Sequence, residues 1–500
     1  MSFHAVAYEQ NLAVVQAFEP SLLWQWFARI SAIAHPSHHE EALATDIVAW
    51  AKSQGLAVRR DAVGNVIIKK PASAGYENRA TVALQAHLDM VPQANAEVEH
   101  DFATDPIRLR INPNDGAWLM ATGTTLGADN GIGMASCLAV LADDTLAHPE
   151  LEVLLTMTEE TGMVGVFGLQ SGELNATMMI NTDTEEIGEV YIGCAGGIDA
   201  DVRLPVLWQK TAFDTAITID IKGLRGGHSG LDIDKNRSSA IKILARVLAV
   251  LNQQFSGQFA ISGLHGGTLR NAIAREATAT ISLPQTIKSQ VVQCIELTLD
   301  TIAAEIAKAE PNFVGTVAQT ALPDTSLTPQ DSTQVVDLIH ALPNGVVRQS
   351  DVVADTVETS LSFGQLALDE SGLRCVLLIR SLVESGKMAV CDVLSSIARL
   401  AGASVCFSGD YVGWNPDENS PITALTVSLY EKILNRKPDI KVIHAGLECG
   451  LIKKSHPNLD IVSIGPTIKN AHSPDEMVHI ESVAAYWRLL TDILANAPMR

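Results

Sequence analysis

A histidine and an aspartate stand two apart at His87 and Asp89, in "HLDMVPQ", directly after the apolar run "ATVALQA". Alternation along a strand puts both side chains on one side of its end. Other apolar runs finish on residues of the same chemical kind. "LEVLLTMTEE" ends on Glu159 and Glu160, "MMINTD" ends on Asp183, and "DIVSIGPTIKNAH" reaches His472 after a short loop. A further segment, "GTTLGADNGIGMASCLAVLAD", carries Asp129 between glycines where a helix is expected to start. Taken alone, that aspartate reads as an ordinary helix N-cap. The same glycines also let backbone approach a buried centre closely, so Asp129 is expected to serve as cap and ligand together. In an open α/β sheet, ligands bind beyond the carboxyl ends of the strands, and one crevice would therefore collect two imidazoles with several carboxylates. Such crowding of like charges is relieved by a cation among them.

Imidazole with carboxylate is the ligand set of zinc and its first-row neighbours, whereas calcium favours oxygen alone. The donors suffice for two divalent ions: His87 and Asp183 on one, Glu160 and His472 on the other, with Asp129 bridging. Zinc is the first expectation; cobalt and manganese fit the same donors. Asp89 is left over, placed to accept the second ring N–H of His87 and fix its tautomer. Glu159 is also left over, free to act as general base on a metal-held water. The expected chemistry is metal-assisted hydrolysis.

Such a crevice needs buried parallel strands. From about residue 20 to 200, apolar runs of strand length ("NVIIKK", "TVALQA", "LEVLLTMT", "ATMMINT") alternate with helical patterns, which predicts an α/β domain with strands buried on both faces. Between 206 and 407 the strands alternate in polarity ("TAITIDIKG", "ATATISL", "RCVLLIRSL") beside amphipathic helices such as "SQVVQCIELTLDTIAAEIAK". That texture predicts an α+β insert with helices on one sheet face. It holds two loosely parallel halves: "GGTLRNAIAREATATIS" and "TVETSLSFGQLALDESGLRCVLLIRSLVESG" each lead into a helix. Past 408 the α/β texture returns, so the expected organisation is a catalytic domain in two parts, 1–205 and 408–500, interrupted by a lid at 206–407.

The 500 residues are 47% hydrophobic and 18% charged, enough for more than one buried core. A formal net charge of −22 repels phosphate backbones and argues against a nucleic-acid partner. No apolar window approaches membrane-spanning length, and the first residues carry Glu9 and Glu19 without a basic region, so neither a span nor a secretory signal is expected. Seven cysteines are scattered singly, without C-x-x-C, as in a reducing cytoplasmic setting.

In this order, "HLDMV", "GTTLGADNG", "TEETGMVG", "NTD", "GGHSG" and "HSPDE" resemble the co-catalytic zinc peptidases, a family that includes carnosinases, peptidase T and aminoacylase-like deacylases. The resemblance runs from "ISAIAHPSHHEE" to the last helix. It implies a di-zinc exopeptidase-type mixed sheet flanked by helices, with an inserted α+β lid, and the metal roles already given. "GLRGGHSG", "GGTLRNAIARE", "HAGLECGL" and "VSIGPTIKNAHSPDE" are nearest to the family's dipeptidases, implying hydrolysis of Xaa-His and broader unblocked dipeptides. It further implies that His228 hydrogen-bonds the oxyanion, in many relatives from the partner subunit of a lid-mediated homodimer, and that Asn271 and Arg380 contact substrate. The planar fork of Arg380 suits a dipeptide carboxylate, although arginines on strands often simply pair at surfaces. Glu448 is a candidate for the substrate's free amine. A tripeptidase or an N-acyl-amino-acid deacylase would use the same centre, and a binding protein that kept the fold is the alternative from another class. His265 and His340 are assigned no role. "HPSHHEE" has the look of a metal tract, but is expected to cap and open the next helix.

Overall fold

The protein is described from a computed structural model that covers residues 3–95, 97–351, 353–417 and 419–500. It divides into two compact units, one formed by Met1–Gly193, Pro416–Val442 and Glu448–Arg500, the other by Cys194–Asn415 and Ile443–Leu447. Among the described residues no helix is long and apolar enough to cross a membrane.

The first unit is built on an eight-stranded mixed sheet, in the order Ala57–Arg60, Val66–Lys70, Leu151–Thr156, Val82–His87, Met178–Asn181, Asp460–Ser463, Glu189–Cys194, Asp439–Ile443. Its four central strands run parallel, and the first two join antiparallel. Val82–His87 and Leu151–Thr156 are buried at every position, as strands covered on both faces must be, which is why they read as mostly apolar runs, interrupted only by Gln85 and Glu152 before their polar ends. The helix Ala128–Ala142 packs on Val82–His87 and against the helix Ser21–Ser31, while Pro421–Leu434 packs on Asp460–Ser463 and on the helix Ile480–Ala495. His87 is the last residue of its strand, and Glu159, Asp183 and His472 follow the ends of three others. The carboxyl edge of the parallel strands thus carries the chemistry.

The second unit centres on an antiparallel nine-stranded sheet. Its main path is Val314–Thr320, Thr215–Lys222, Ala277–Leu283, Ala260–Gly266, Val357–Asp369, Gly372–Ser381, Gly196–Leu204, Ser404–Tyr411, and Gly345–Gln349 pairs with Val357–Asp369. Numbering the strands of each half by chain order, the first half reads 4-1-3-2 and the second reads the mirror sequence 2-3-1-4. The halves meet where His265 and Gly266 pair with Ala367 and Leu366. Helices Ala240–Gln254, Lys288–Ile306, Pro329–Ala341 and Glu384–Leu400 contribute with Ile217, Ile219, Ile281 and Leu377 to one core. The strand alternation that marks a half-covered sheet has this cause. Both ends of the unit lie outside the expected 206–407. Gly196–Leu204 and Ser404–Tyr411 pair with each other, so the sheet takes in residues on either side of those boundaries.

Candidate metal centre

At the carboxyl edge of the first sheet, two groups of ligand-type side chains share Asp129: His87, Asp129 and Asp183, and Asp129, Glu160 and His472. In each group one ligand atom per residue lies within 4.8 Å of the others. Asp129 divides its oxygens between them, Oδ1 standing 3.2 Å from His87 Nε2 and Oδ2 3.1 Å from His472 Nε2. His87 Nε2 is 3.4 Å from Asp183 Oδ1, and His472 Nε2 is 3.2 Å from Glu160 Oε2. Two ligands, each about 2.0–2.1 Å from a tetrahedral zinc ion, stand about 3.3 Å apart, so these spacings need little adjustment to receive one ion per group. Glu160 Oε1 is buried without a hydrogen-bond partner among the described residues, which also suits a site made for a cation. A third group joins Glu159 to His87 and Glu160.

Asp89 departs from the expected contact. The ring Nδ1 of His87 lies 2.9 Å from the backbone carbonyl of Asp89, and only 3.4 Å from its carboxylate Oδ1. That carboxylate instead accepts the backbone N–H groups of Glu159 (2.9 Å) and Glu160 (3.1 Å) and the hydroxyl of Ser37 (2.8 Å). Residue 89 therefore orients the histidine through its main chain and the glutamate pair through its side chain. A spacing of two in a strand says where a side chain points, not which of its residue's oxygens is nearer.

Nor does Asp129 act as a side-chain cap, because its carboxylate is taken up by the two imidazoles. The N–H groups of Leu126, Gly127, Ala128 and Asp129 are received by the carboxylate of Glu476, at 2.8, 2.9, 2.8 and 3.2 Å. A carboxylate on a helix N-terminus is a favourable charge–dipole arrangement, and here it ties the His472 loop to the Asp129 turn. Glu476 sits in the quoted "HSPDE", yet its spacing from Asp129 in the chain carries no signal of the contact.

Without ions, the centre is a set of coupled charges. Burial alone would lower His87, but Asp183 and Asp129 outweigh it and hold the ring well above its usual value. Hydrogen bonds to Asp129 and Glu160 raise His472 to about 11. Burial, reinforced by the like charge of Asp129, pushes Glu160 up to about 7. Glu159 is driven well above the carboxylate range, again chiefly by burial. His472 is therefore an imidazolium in the metal-free protein at pH 8, the carboxylates around His87 bias its ring the same way, and a neutral ring is needed to bind an ion. Metal uptake should release about one proton from His472, with a further contribution from His87, and apparent affinity should climb about tenfold per pH unit for each proton released. Calorimetric titration in buffers of different ionisation enthalpy reads this directly, and heats independent of buffer would show that these histidines are not ligands.

The second unit holds a separate polar cluster. His228 Nδ1 accepts the N–H groups of Gly230 (3.2 Å) and Leu231 (3.0 Å), so the proton of its neutral ring sits on Nε2. Burial, with help from the Arg380 charge, lowers this histidine to about 4 and keeps it neutral. Arg380 is 5% exposed, and its partners among the described residues are the Tyr411 hydroxyl (2.8 Å), Ser229 (3.4 Å) and His228, none of them a carboxylate. His228 Nε2 and Arg380 Nη2 are two donors 3.4 Å apart, an arrangement that calls for an acceptor from outside. Asn271 is exposed, and its carbonyl accepts the Ser229 N–H at 2.9 Å beside the pairing of Gly227–His228 with Ala272–Ile273. Tyr411 was not singled out from sequence, since nothing in "SGDYVG" marks it. Glu448, in the first unit, is 1% exposed and accepts from Gln85 (2.5 Å) and Thr156 (2.6 Å).

A mixed α/β sheet with two imidazole-carboxylate groups sharing one aspartate beyond its parallel strands has the architecture of a co-catalytic metallohydrolase. Residues 83–496 match peptidase family M20/M25/M40, and the chain belongs to that family. It is 48% identical over 491 residues to the cytosol non-specific dipeptidase of Escherichia coli (strain K12), covering 98% of this chain and 100% of that one. The crystal structure of aminoacylhistidine dipeptidase from Vibrio alginolyticus is similar at a TM-score of 0.88 with 47% identity, over 97% of this chain and 98% of the other. Aminopeptidase PepT from Bacillus cereus shares the fold at a TM-score of 0.55 with 16% identity, over 96% and 98% of the two chains.

Proposed function

We propose that the protein is a metal-dependent dipeptidase that hydrolyses Xaa-His and broader unblocked dipeptides. The observation that carries this is the division of the Asp129 oxygens between two ligand groups, in a chain nearly half identical over its length to dipeptidases. His87 and Asp183 would hold one ion, Glu160 and His472 the other, and Asp129 both; zinc fits best, with cobalt or manganese acceptable. When bound, the ions supply Lewis acidity that favours deprotonation of water and polarises the scissile carbonyl. Glu159 takes the proton from the attacking water and passes it to the leaving amine. Asp89 keeps Glu159 and Glu160 in register and fixes the ring of His87. His228, neutral with its proton on Nε2, is suited to donate to the oxyanion, and Arg380, lacking a carboxylate partner, to bind the substrate's terminal carboxylate. Asn271 is assigned a further contact to substrate.

In this reading the second unit is the lid domain, and its Arg380, by receiving the substrate's terminal carboxylate, favours two-residue substrates. The protein acts in the cytoplasm as a homodimer, and light scattering that finds only monomer in a fully active sample removes the dimer from this reading. The test of the function is hydrolysis of an Xaa-His dipeptide, a tripeptide and an N-acetylated amino acid by the metal-loaded protein. The dipeptide should be cleaved far faster, and chelation should abolish its cleavage. Faster cleavage of either other substrate would instead make the protein a tripeptidase or a deacylase.

A further inference from the structure

Just past the strand Leu151–Thr156 the chain is held on two sides: the carbonyls of Met157, Thr158 and Glu159 accept N–H groups from residues 162–165 of the turn that follows, while its own N–H groups go to side chains. Four successive N–H groups, those of Met157, Thr158, Glu159 and Glu160, are each received by a side-chain oxygen: Asn65 Oδ1 at 3.0 Å, Glu40 Oε1 at 2.8 Å, Asp89 Oδ1 at 2.9 Å and Asp89 Oδ2 at 3.1 Å. Glu40 Oε1 also accepts the Thr158 hydroxyl at 2.7 Å, and Glu40 is 1% exposed. Thr158 has φ +52°, a left-handed conformation that β-branched residues rarely adopt. A residue forced into that region directly before two functional side chains marks strain kept for a purpose, provided something pins it. Glu40 receives both the N–H and the hydroxyl of Thr158 in a buried setting, and the Val164 N–H donates to the Thr158 carbonyl at 3.0 Å, so Glu40 is the side chain that pins it.

The segment that delivers Glu40 is the histidine-rich tract, which does not cap the helix that follows it. The helix Glu41–Ser53 has no side-chain cap at Glu40. Instead, the tract lies along the chain that leaves His87: Met90 N–H donates to the His35 carbonyl at 3.2 Å, and Ser37 N–H donates to the Met90 carbonyl at 3.3 Å. Ser37 then bonds Asp89, and His38 Nε2 stands 3.0 Å from the Thr161 hydroxyl. Ser37, His38 and Glu40 thus reach Asp89 and both ends of the Thr158–Thr161 turn.

We propose that Glu40 is a positioning residue for Glu159: it holds Thr158 in its left-handed conformation and thereby aims the Glu159 carboxylate at the attacking water. This rests on the assignment of Glu159 as general base under the proposed function. Asp89 still anchors the amides of residues 159 and 160 when Glu40 is changed, so the ligand Glu160 stays in place while the aim of Glu159 loosens. A displacement of about 1 Å at a reacting group costs about a hundredfold in rate.

The test compares Glu40→Ala, Glu40→Asp and Glu40→Gln in the metal-loaded, full-length protein, reading kcat, KM, metal content and hydrogen exchange of the peptide spanning 157–163. Glu40→Ala should lower kcat by about a hundredfold with KM and metal content near the parent, and exchange at 157–163 should quicken. Gln keeps an acceptor oxygen at the same reach and should restore most of kcat, whereas Asp keeps the charge but falls short of Thr158 and should not. Thr158→Asn in the Glu40→Ala background should recover part of the loss, because asparagine tolerates the left-handed region. Unchanged kcat per metal-loaded chain, or a loss that simply follows metal content, overturns the proposal. Should Glu40→Ala fail to fold, Asp and Gln decide it, and Asp at least as active as Gln overturns it. A metal-loaded parent that cleaves no dipeptide refutes the reading of the site instead, and unaltered exchange at 157–163 in the variants then refutes the positioning on its own.

Discussion

Glu159→Gln should leave the protein folded and loaded with metal while kcat falls by about two to four orders of magnitude, the scale of losing a positioned general base. The reasoning turns on a distinction the geometry leaves narrow. Glu159 lies within ligand distance of His87 and Glu160, so it could in principle be drawn onto an ion. Glu160, however, is already engaged with His472 at 3.2 Å, in the group that includes Asp129, while Glu159 belongs to neither group that Asp129 joins. Its backbone N–H is fixed by Asp89, and glutamine changes neither length nor volume enough to disturb that bond. Metal content measured beside kcat decides the matter. Loss of about one ion per chain in Glu159→Gln, with Glu160→Gln retaining both, would show that the two glutamates have exchanged roles.

How far sequence reaches toward such an assignment depends on whether the signal is local. His87, Glu160, Asp183 and His472 each end or follow an apolar run, Asp129 stands at the start of a helix, and strand ends in a parallel sheet gather at one edge whatever the strand order. Their convergence is therefore legible one segment at a time. The polarity of "TAITIDIKG" and "ATATISL" is legible for the same reason, since a half-covered sheet imposes period two on every strand. Contacts between distant segments leave no such trace. Glu476 receives four N–H groups nearly 350 residues away, and Glu40 reaches Thr158 across 118. Neither residue type nor spacing announces those bonds, so sequence alone assigns Glu476 no role and makes the tract around Glu40 look like a cap. Asp89 is a different case: its place beside His87 is legible, but which of its oxygens meets the ring is settled by backbone geometry at the scale of one bond. The two halves of the second unit's sheet lie between these cases, faint as a repeat in sequence and plain only in strand order.

The largest loss should come from Asp129→Asn, which differs from the parent by one charge and almost no volume. Asp129 is the residue whose two oxygens serve separate groups, 3.2 Å from His87 and 3.1 Å from His472, and its carboxyl is held below the usual range: burial opposes the charge, but hydrogen bonds from the two histidines outweigh it. An amide offers one acceptor and one donor, so only one ligand group can keep its oxygen, and the other faces an N–H that repels a cation. Both groups also lose the negative charge that balances two dications. The variant should therefore hold at most about one ion per chain, weakly, where the parent holds two. Lewis-acid stabilisation of the transition state is worth several kcal/mol, and about 1.4 kcal/mol corresponds to a factor of ten, so a loss of about a thousandfold or more in kcat/KM is expected. The metal-free form should change as well. With Asp129 neutral, His87 keeps Asp183 and His472 keeps Glu160, but each loses one of the carboxylates that raise it, so the buffer-dependent proton release described for the parent should shrink along with the binding itself. Metal analysis, kcat/KM and the proton count taken together fix the role: full metal content with full proton release in Asp129→Asn would mean that the two groups bind their ions without a shared ligand, and the assignment of Asp129 as the bridge would be wrong.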